Sequence, residues 1–425
     1  MGAKPIVEEL SGSASGRMIS QFADYSSETI LPAVLEEMQK RTPRKLAIYA
    51  ASAGFELADE LSHLCARAID PNVFFNPRFL APAMPRLEDK EVRLAVIRDG
   101  DEYKNRLRLL VPFTIEKLPL FGTSVLRTWS SPFGPLGTPL VDHDDPESVI
   151  DDFFSMLARP HLNLPNIFVM PDVRLDGPFA ALMSRFTESR GLPFEITNQL
   201  QRPHLQSDLL PEDYLDGTIS RRHLQEYQRL KRRLGELGAL DYQIARQPDE
   251  VRQAVEDFLA LEASGWKGRE GSAMAVDRYR AAFAREAAQR LAQNDQCRVH
   301  ALKLNGKTIA SLIVFVEAGI AYTWKTAYDE NYARFSPGTL LMIEVTQTHL
   351  LDPNVAITDS CAVPDHPIVS RLWKERRPIG TLVVGLTADS DRAARRAATQ
   401  LHREKQTRNM ARIVRQRIRH ALKRS

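Results

Sequence analysis

From residue 45 the chain alternates between two periods. KLAIYAA (45–51) is a short apolar run with the look of a buried strand. FELADELSHLCARAI after it places Phe55, Leu57, Leu61, Leu64, Cys65, Ala68 and Ile69 on one broad helical face. NVFFNPRFL reads as an aromatic-rich connection broken by Pro77. EVRLAVIRDG and RLRLLVPFTIE are two predicted strands, with Asp99-Gly100 at the turn. TSVLRTWSSPFGPLGTPLVD then leads to a helix, ESVIDDFFSMLA, and a strand, NIFVMPD. Residues 1–44 read as a Ser-rich leader with a helix carrying Ile30, Leu31, Val34, Leu35 and Met38.

The second half repeats that order. A helix (EVRQAVEDFLALEASGW), a Gly-rich connection (KGREGSAM) and a helix (RYRAAFAREAAQRLAQ) precede two strands joined at Asn305-Gly306, a strong hairpin signal. A third strand, AYTWKTAYD, runs into a helix that opens with Ser336-Pro337-Gly338, and the strand VAITDSC closes the set. RLAVIRDG matches RVHALKLNG, LLVPFTIE matches SLIVFVEAG, SPFGPLGTPL is set against FSPGTLLMI, and IFVMPD matches AITDSC. Two diverged copies of one α/β unit follow, and hairpins joined to a strand–helix–strand crossover make a mixed sheet. The expected division is 1–44 leader and helix, 45–200 first copy, 201–388 second copy and 389–425 a basic terminal helix.

The strand-to-helix junction at 321–345 is the most informative stretch. Pro337 suits a first helical position, Ser336 can cap, and Gly338 admits close approach of a ligand. Free N–H groups and the helix dipole then favour phosphate, pyrophosphate or carboxylate, unless the tripeptide merely starts a buried helix.

Composition adds exclusions. The 425 residues, 43% hydrophobic and 26% charged, suit a globular protein of two or three units. No apolar run is long enough to span a bilayer and no secretory signal opens the chain, so a cytoplasmic location is expected. Cys65, Cys297 and Cys361 have neither disulfide nor zinc spacing, and no metal is expected. The net charge of +3 hides basic segments at 221–233 and in the tail, where Leu401, Met410, Ile413, Val414, Ile418, Ala421 and Leu422 form a weak stripe. The tail reads as a solvated helix, as a peripheral contact with anionic lipid or polysaccharide machinery, or as a nucleic-acid surface, the last weakened by its lack of aromatic residues.

The order hairpin, third strand, ligand-holding helix and strand resembles the GNAT acyltransferase core. LEASGWKGREGSAM (261–274), AYDENYARFSPGTLL (327–341), FFNPRFL (74–80) and FGPLGTPLVD (133–142) resemble the CelD/BcsL group of acetyltransferases associated with cellulose biosynthesis, itself similar to tandem-GNAT Fem-type transferases. The resemblance covers roughly 45–390 and implies an α/β fold of tandem GNAT-like domains with mixed, largely antiparallel sheets flanked by helices.

It also implies an acetyl-CoA donor and a sugar- or peptide-like acceptor. Trp324 to Tyr328 would offer a backbone N–H to the donor carbonyl; Arg334, Ser336, Gly338 and Thr339 would stand where the family has its pyrophosphate loop. That loop usually carries more glycines, which leaves room for another activated donor, such as aminoacyl-tRNA. Glu262, Asp329 and Asp359 are the candidate acid/base groups, with His366 behind them; Trp266, Lys267 and Lys325 are candidate acceptor contacts. Four have a plain alternative: Asp329 as a turn or cap, Trp266 as core, Glu262 as surface, Lys325 as an edge guard. A non-catalytic accessory protein of envelope polysaccharide synthesis remains a further reading.

Overall fold

The computed structural model describes residues 3–11, 43–100, 105–119 and 122–422, without the side chains of 411–422. The helix expected around 30–38, and the stripe residues beyond Met410, lie outside what is described. The strands are β1 (Val7–Leu10), β2 (Arg44–Ala50), β3 (Arg93–Asp99), β4 (Leu107–Lys117), β5 (Ser124–Thr128), β6 (Leu140–Val141), β7 (Ile167–Arg174), β8 (Phe194–Leu205), β9 (Leu240–Ala245), β10 (Cys297–Leu304), β11 (Lys307–Glu317), β12 (Ile320–Tyr328), β13 (Ile357–Asp359) and β14 (Glu375–Gly385). The helices used below are α1 (Ala58–Cys65), α2 (Pro77–Leu87), α3 (Pro146–Leu157), α4 (Pro178–Arg190), α5 (Pro211–Thr218), α6 (Arg221–Gly235), α7 (Pro248–Ser264), α8 (Trp266–Arg269), α9 (Arg278–Ala292), α10 (Pro337–Leu351), α11 (Val369–Leu372) and α12 (Asp391–Leu422).

The chain forms two compact units. The first holds Met1–Asp70, Lys90–Gln199 and Ile379–Ser425; the second holds Pro71–Asp89 and Leu200–Pro378. In the first, β1 to β5 pair antiparallel in sequence order, β5 pairs parallel with β7, and β14 lies antiparallel to β7. Buried Leu46, Ile97, Val111, Phe153, Phe168 and Phe179 pack one face under α3 and α4. Ala394, Ala397, Ala398 and Leu401 of α12 cover Val125, Val169 and Val383, so the start of the basic terminal helix is part of this unit's core.

In the second unit β9, β10, β11 and β12 pair antiparallel, β12 pairs parallel with β13 across the crossover helix α10, and β13 is antiparallel to the end of β8. β3, β4, β5 and β7 thus follow the same order as β10 to β13, as the matched sequence halves predict. Among the described residues no helix is long and apolar enough to cross a membrane.

The observed units differ from the expected division in three ways, one of them being that Ile379–Gly385 of β14, expected in the second copy, pairs with β7 in the first unit. Residues 71–89 precede the first unit's hairpin in sequence yet belong to the second unit. Pro77 does not break this segment: Asn76 accepts the Arg78 N–H and Pro77 takes the first position of α2. Phe79 then packs edge-on against Phe283, Phe315 and Trp324, at centroid distances of 5.1, 5.7 and 6.1 Å. Burial of that aromatic surface decides where the segment goes, and periodicity carries no sign of it. The third difference is the terminal helix, which is docked on the first unit through its initial turns.

SPFGPLGTPL is not the counterpart of the SPG helix. It forms a tight Ser131–Gly134 turn and an irregular run into β6. The equivalent junction lies later: Asp145 (φ 52°) precedes Pro146 of α3 as Ser336 (φ 53°) precedes Pro337 of α10, both left-handed. Gly338 therefore has Glu147 as its counterpart.

Candidate functional site

The site begins where β12 and β13 part. They pair over Ile320–Tyr322 and Ile357–Asp359 only, so the edge of β12 beyond Tyr322 is open on the β13 side. On its other edge, the register with β11 shifts between Ile313↔Lys325 and Val314↔Thr323, which leaves Trp324 as the extra residue of a bulge. The Trp324 side chain is buried among Phe79, Phe283 and Phe315. Its indole therefore anchors the bulge.

A cleft of about 380 Å³ opens beside this edge. It is bordered by Glu262 at the end of α7, Trp266 and Lys267 of α8, Thr326 and Tyr328 of β12, Gly338 of α10 and His366 ahead of α11. The structure thus gathers six of the residues expected at the site: Glu262, Trp266, Lys267, Tyr328, Gly338 and His366. They come from four stretches spread over about a hundred residues.

Glu262 is 4% exposed, and both oxygens are engaged: Lys267 Nζ donates to Oε1 at 2.8 Å, and the Met274 N–H donates to Oε2 at 2.8 Å. Lys267 also donates to the Thr326 carbonyl at 2.9 Å. One carboxylate therefore ties α8 and the loop behind it to α7. Gly268 makes the fold of that loop possible, because a Cβ there would lie 1.8 Å from the Ala263 carbonyl oxygen. Gly268→Ala is expected to lower stability by about 1–3 kcal/mol through overpacking; chemical denaturation checks it, and an unchanged midpoint would refute the tight approach. Trp266 is 42% exposed, at the cleft wall and not in the core. Its N–H donates to Glu330 Oε1 at 3.1 Å.

At the other end, α10 begins beside Tyr328. Ser336 provides no side-chain cap: its left-handed backbone aims its carbonyl at the Thr339 and Leu340 N–H groups, at 2.9 and 3.1 Å. Pro337 has no N–H, and Gly338, as the next residue, has no intrahelical acceptor within reach of its N–H. A Cβ at Gly338 would stand 3.6 Å from Tyr328 Cδ1 and 3.7 Å from Ile368 Cδ1, ordinary contact distances. His366 accepts the Ile368 and Val369 N–H groups on Nδ1, both at 3.4 Å. Burial lowers its pKa, against a smaller opposing pull from Asp365. The neutral ring therefore carries its proton on Nε2, which makes it a hydrogen-bond donor and a poor base.

The remaining candidates do not border the cleft. Asp329 is an N-cap: Oδ1 accepts the Asn331 N–H at 3.0 Å and Oδ2 accepts Lys307 Nζ at 3.1 Å. Burial opposes its charge, but these partners outweigh it and lower its pKa, the wrong direction for a general base. Asp359 is buried, accepts the Cys361 N–H at 2.7 Å and faces Arg202 at 3.4 Å, which commits it to holding the turn after β13. Arg334 is exposed, with its guanidinium 4.8 Å above the Phe335 ring. Ser336 and Thr339 shape the helix start without reaching the cleft wall.

Lys325 is half-buried on β12. Burial first, then the Lys267 ammonium, push its pKa from 10.5 down to about 8, against support from Glu262. Unfolding restores the ordinary value, so from about pH 8 to 10.5 the unfolded chain holds the extra proton and stability rises with pH. Below that window the native state bears the full penalty. Lys325→Met is expected to exceed wild-type stability at pH 7 by on the order of 2 kcal/mol, the gain fading toward pH 10.5. Denaturant midpoints across pH measure it; a pH-independent difference would contradict the cause.

In the first unit, Asp142, His143 and Asp144 bring ligand atoms within 4.8 Å of one another. Arg67 Nε and Arg106 Nε each donate to Asp142 Oδ2 at 3.0 Å, and Arg106 also pairs with Asp144 at 2.9 Å. Guanidinium groups thus already neutralise this acidic group.

Sequence reasoning missed the Met274 N–H, the Thr326 carbonyl and the Pro367–Ile368 wall. Backbone groups have no residue-type signature; the one available signal was the Gly265–Gly268 spacing, which marks a tight approach.

Residues 221–349 match the family model described as an acetyltransferase (GNAT) domain, a span containing α6, the cleft-forming α7, α8 and β12, and α10. No curated protein matches the chain. Among solved structures, FemX superposes with a TM-score of 0.50 at 10% identity, covering 78% of this chain and 96% of its own. A tandem GNAT protein from the clavulanic acid biosynthesis pathway gives 0.39 at 15% identity, covering 80% and 99%. L-PGS from Bacillus licheniformis gives 0.47 at 13% identity, covering 81% and 96%. Identities this low speak for fold alone. The chain has a GNAT-like mixed α/β fold, and its residues 221–349 carry a GNAT acetyltransferase domain.

Proposed function

We propose that the second unit transfers an acyl group, acetyl in the first instance, from coenzyme A to an amine of a sugar- or peptide-like acceptor. The observation that carries this reading is the cleft, where the free helix N-terminus at Gly338, the open edge of β12 and the Glu262–Lys267 pair face one space. The Gly338 N–H and helix dipole suit a donor phosphate. The open strand edge suits an extended, amide-bearing arm.

In the reaction the amine nitrogen attacks the thioester carbon, the C–S bond breaks, and the thiolate leaves with a proton. Both Glu262 oxygens keep a spare lone pair, so the carboxylate can take the amine proton while Lys267 and Met274 hold it in place. Tyr328 and the Nε2–H of His366 are the donors available to the carbonyl oxygen and the leaving sulfur. At the equivalent helix start of the first unit Glu147 stands at the Gly338 position, which places a negative charge where an anion would sit. Calorimetric titration with acetyl-CoA and coenzyme A tests the donor; no heat of binding to the intact chain would refute it.

A second reading keeps the cleft and changes the donor to aminoacyl-tRNA. It is favoured by α6, whose Arg221, Arg222, Arg232 and Arg233 are all exposed. Binding of tRNA that weakens steeply with salt would support it, and no binding at low salt would exclude it. The CelD/BcsL-like stretches suggest envelope polysaccharide, cellulose included, as the setting. The exposed part of α12 is then a peripheral contact with membrane or synthase.

A further inference from the structure

The hydrogen-bonding groups bordering the cleft are unbalanced. Lys267 has three N–H donors, of which Glu262 and the Thr326 carbonyl take two. His366 presents its Nε2–H, and Trp266 brings an indole N–H. Against these, the one acceptor-only side chain on the cleft wall is Glu262, already holding two donors.

This imbalance constrains the acceptor. Glu262 is almost fully buried, so neither charge of the pair can be left alone cheaply. Once Glu262 takes the amine proton it is neutral, and the Lys267 ammonium it holds is left without its counter-charge. An anion that approached Lys267 by itself would do the reverse to Glu262. A molecule carrying both charges replaces each half of the pair with its equivalent.

We propose that the Glu262–Lys267 pair reads an acceptor whose reactive amine has an anionic group, carboxylate or phosphate, within a few bonds of it: the amine faces Glu262 and the anion faces Lys267. This rests on the acyl-transfer reading of the cleft and narrows its substrate class. Lys325 is consistent with it, because an anion beside Lys267 offsets the positive charge that weakens the Lys325 ammonium.

The test uses the full chain, saturating coenzyme A and calorimetric titration with probes that differ in the anion alone. Muramic acid and glucosamine 1-phosphate carry a carboxylate and a phosphate close to the amine; glucosamine 6-phosphate carries a remote phosphate, and glucosamine carries none. Alanine against alaninamide makes the same comparison for a peptide-like acceptor. At least one close-anion probe is expected to bind roughly tenfold or more tighter than its neutral partner and than glucosamine 6-phosphate, the hydrogen bond to a charged group setting the scale. Which one does so decides between carboxylate and phosphate.

Lys267→Met is expected to erase the preference, and Lys267→Arg to retain it. Equal or absent binding of all probes, or a preference that survives Lys267→Met, overturns the inference. Failure of coenzyme A itself to bind would instead refute the acyl-transfer reading.

Discussion

Gly338→Glu is expected to fold as well as the wild type and to lose donor binding by roughly a hundredfold or more. The space exists, since the new Cβ meets Tyr328 and Ile368 at 3.6 and 3.7 Å. The helix gains from the change: a carboxylate in the first turn interacts favourably with the dipole, by about 0.3–1 kcal/mol. The same carboxylate occupies the N–H and places negative charge where a phosphate would sit, a like-charge clash that costs several kcal/mol. The protein already contains this arrangement, because Glu147 follows Pro146 at the equivalent helix start of the first unit and pairs with Arg185 at 3.2 Å. Thermal melts alongside acetyl-CoA calorimetry separate the two effects. Retained affinity in a well-folded variant would show that the donor does not use this helix.

The second large effect is at Glu262. Glu262→Ala strands a lysine ammonium and a backbone N–H that now share one buried carboxylate. The expected loss is about 3–5 kcal/mol of stability, concentrated in the loop from α8 to α9. Glu262→Gln keeps the volume and one acceptor oxygen, so the fold should survive while kcat falls roughly a hundredfold to ten-thousandfold, the range for losing a positioned general base. The pair Glu262→Gln with Lys267→Met should recover part of the stability lost in the single variants, as expected for neighbours that share an ion pair. A Gln variant with wild-type turnover would leave Glu262 with a purely structural part.

The two effects also explain which candidates were legible in advance. Gly338 was, since Pro at a first helical position followed by Gly marks a helix start open to a ligand. Glu262, Trp266 and Lys267 were singled out because they lie in LEASGWKGREGSAM, the stretch that carries the family resemblance. Asp329 and Asp359 share a geometry that keeps them from the cleft: one follows β12 and the other ends β13, and each side chain accepts the backbone N–H two residues on. Short acids after strands commonly make such turns, and strand position alone does not reveal the direction of a side chain. Trp324 was expected to act through its backbone; what the apolar pattern did not reveal is the bulge at that residue, which buries its indole among Phe79, Phe283 and Phe315.

By itself, the sequence determined the local elements and their repetition: strand and helix periods, the Asn305-Gly306 hairpin, the two matched copies and the helix start at Pro337. Those are short-range properties, written in side-chain spacing and backbone preference. Tertiary structure decided the rest. It sent residues 71–89 into the second unit because Phe74 and Phe79 are buried against aromatic residues more than two hundred positions away. It matched Glu147 with Gly338, and brought Glu262, Lys267, Tyr328, Gly338 and His366 to one cleft. Such pairings depend on which distant surfaces exclude water together and which buried charges find partners.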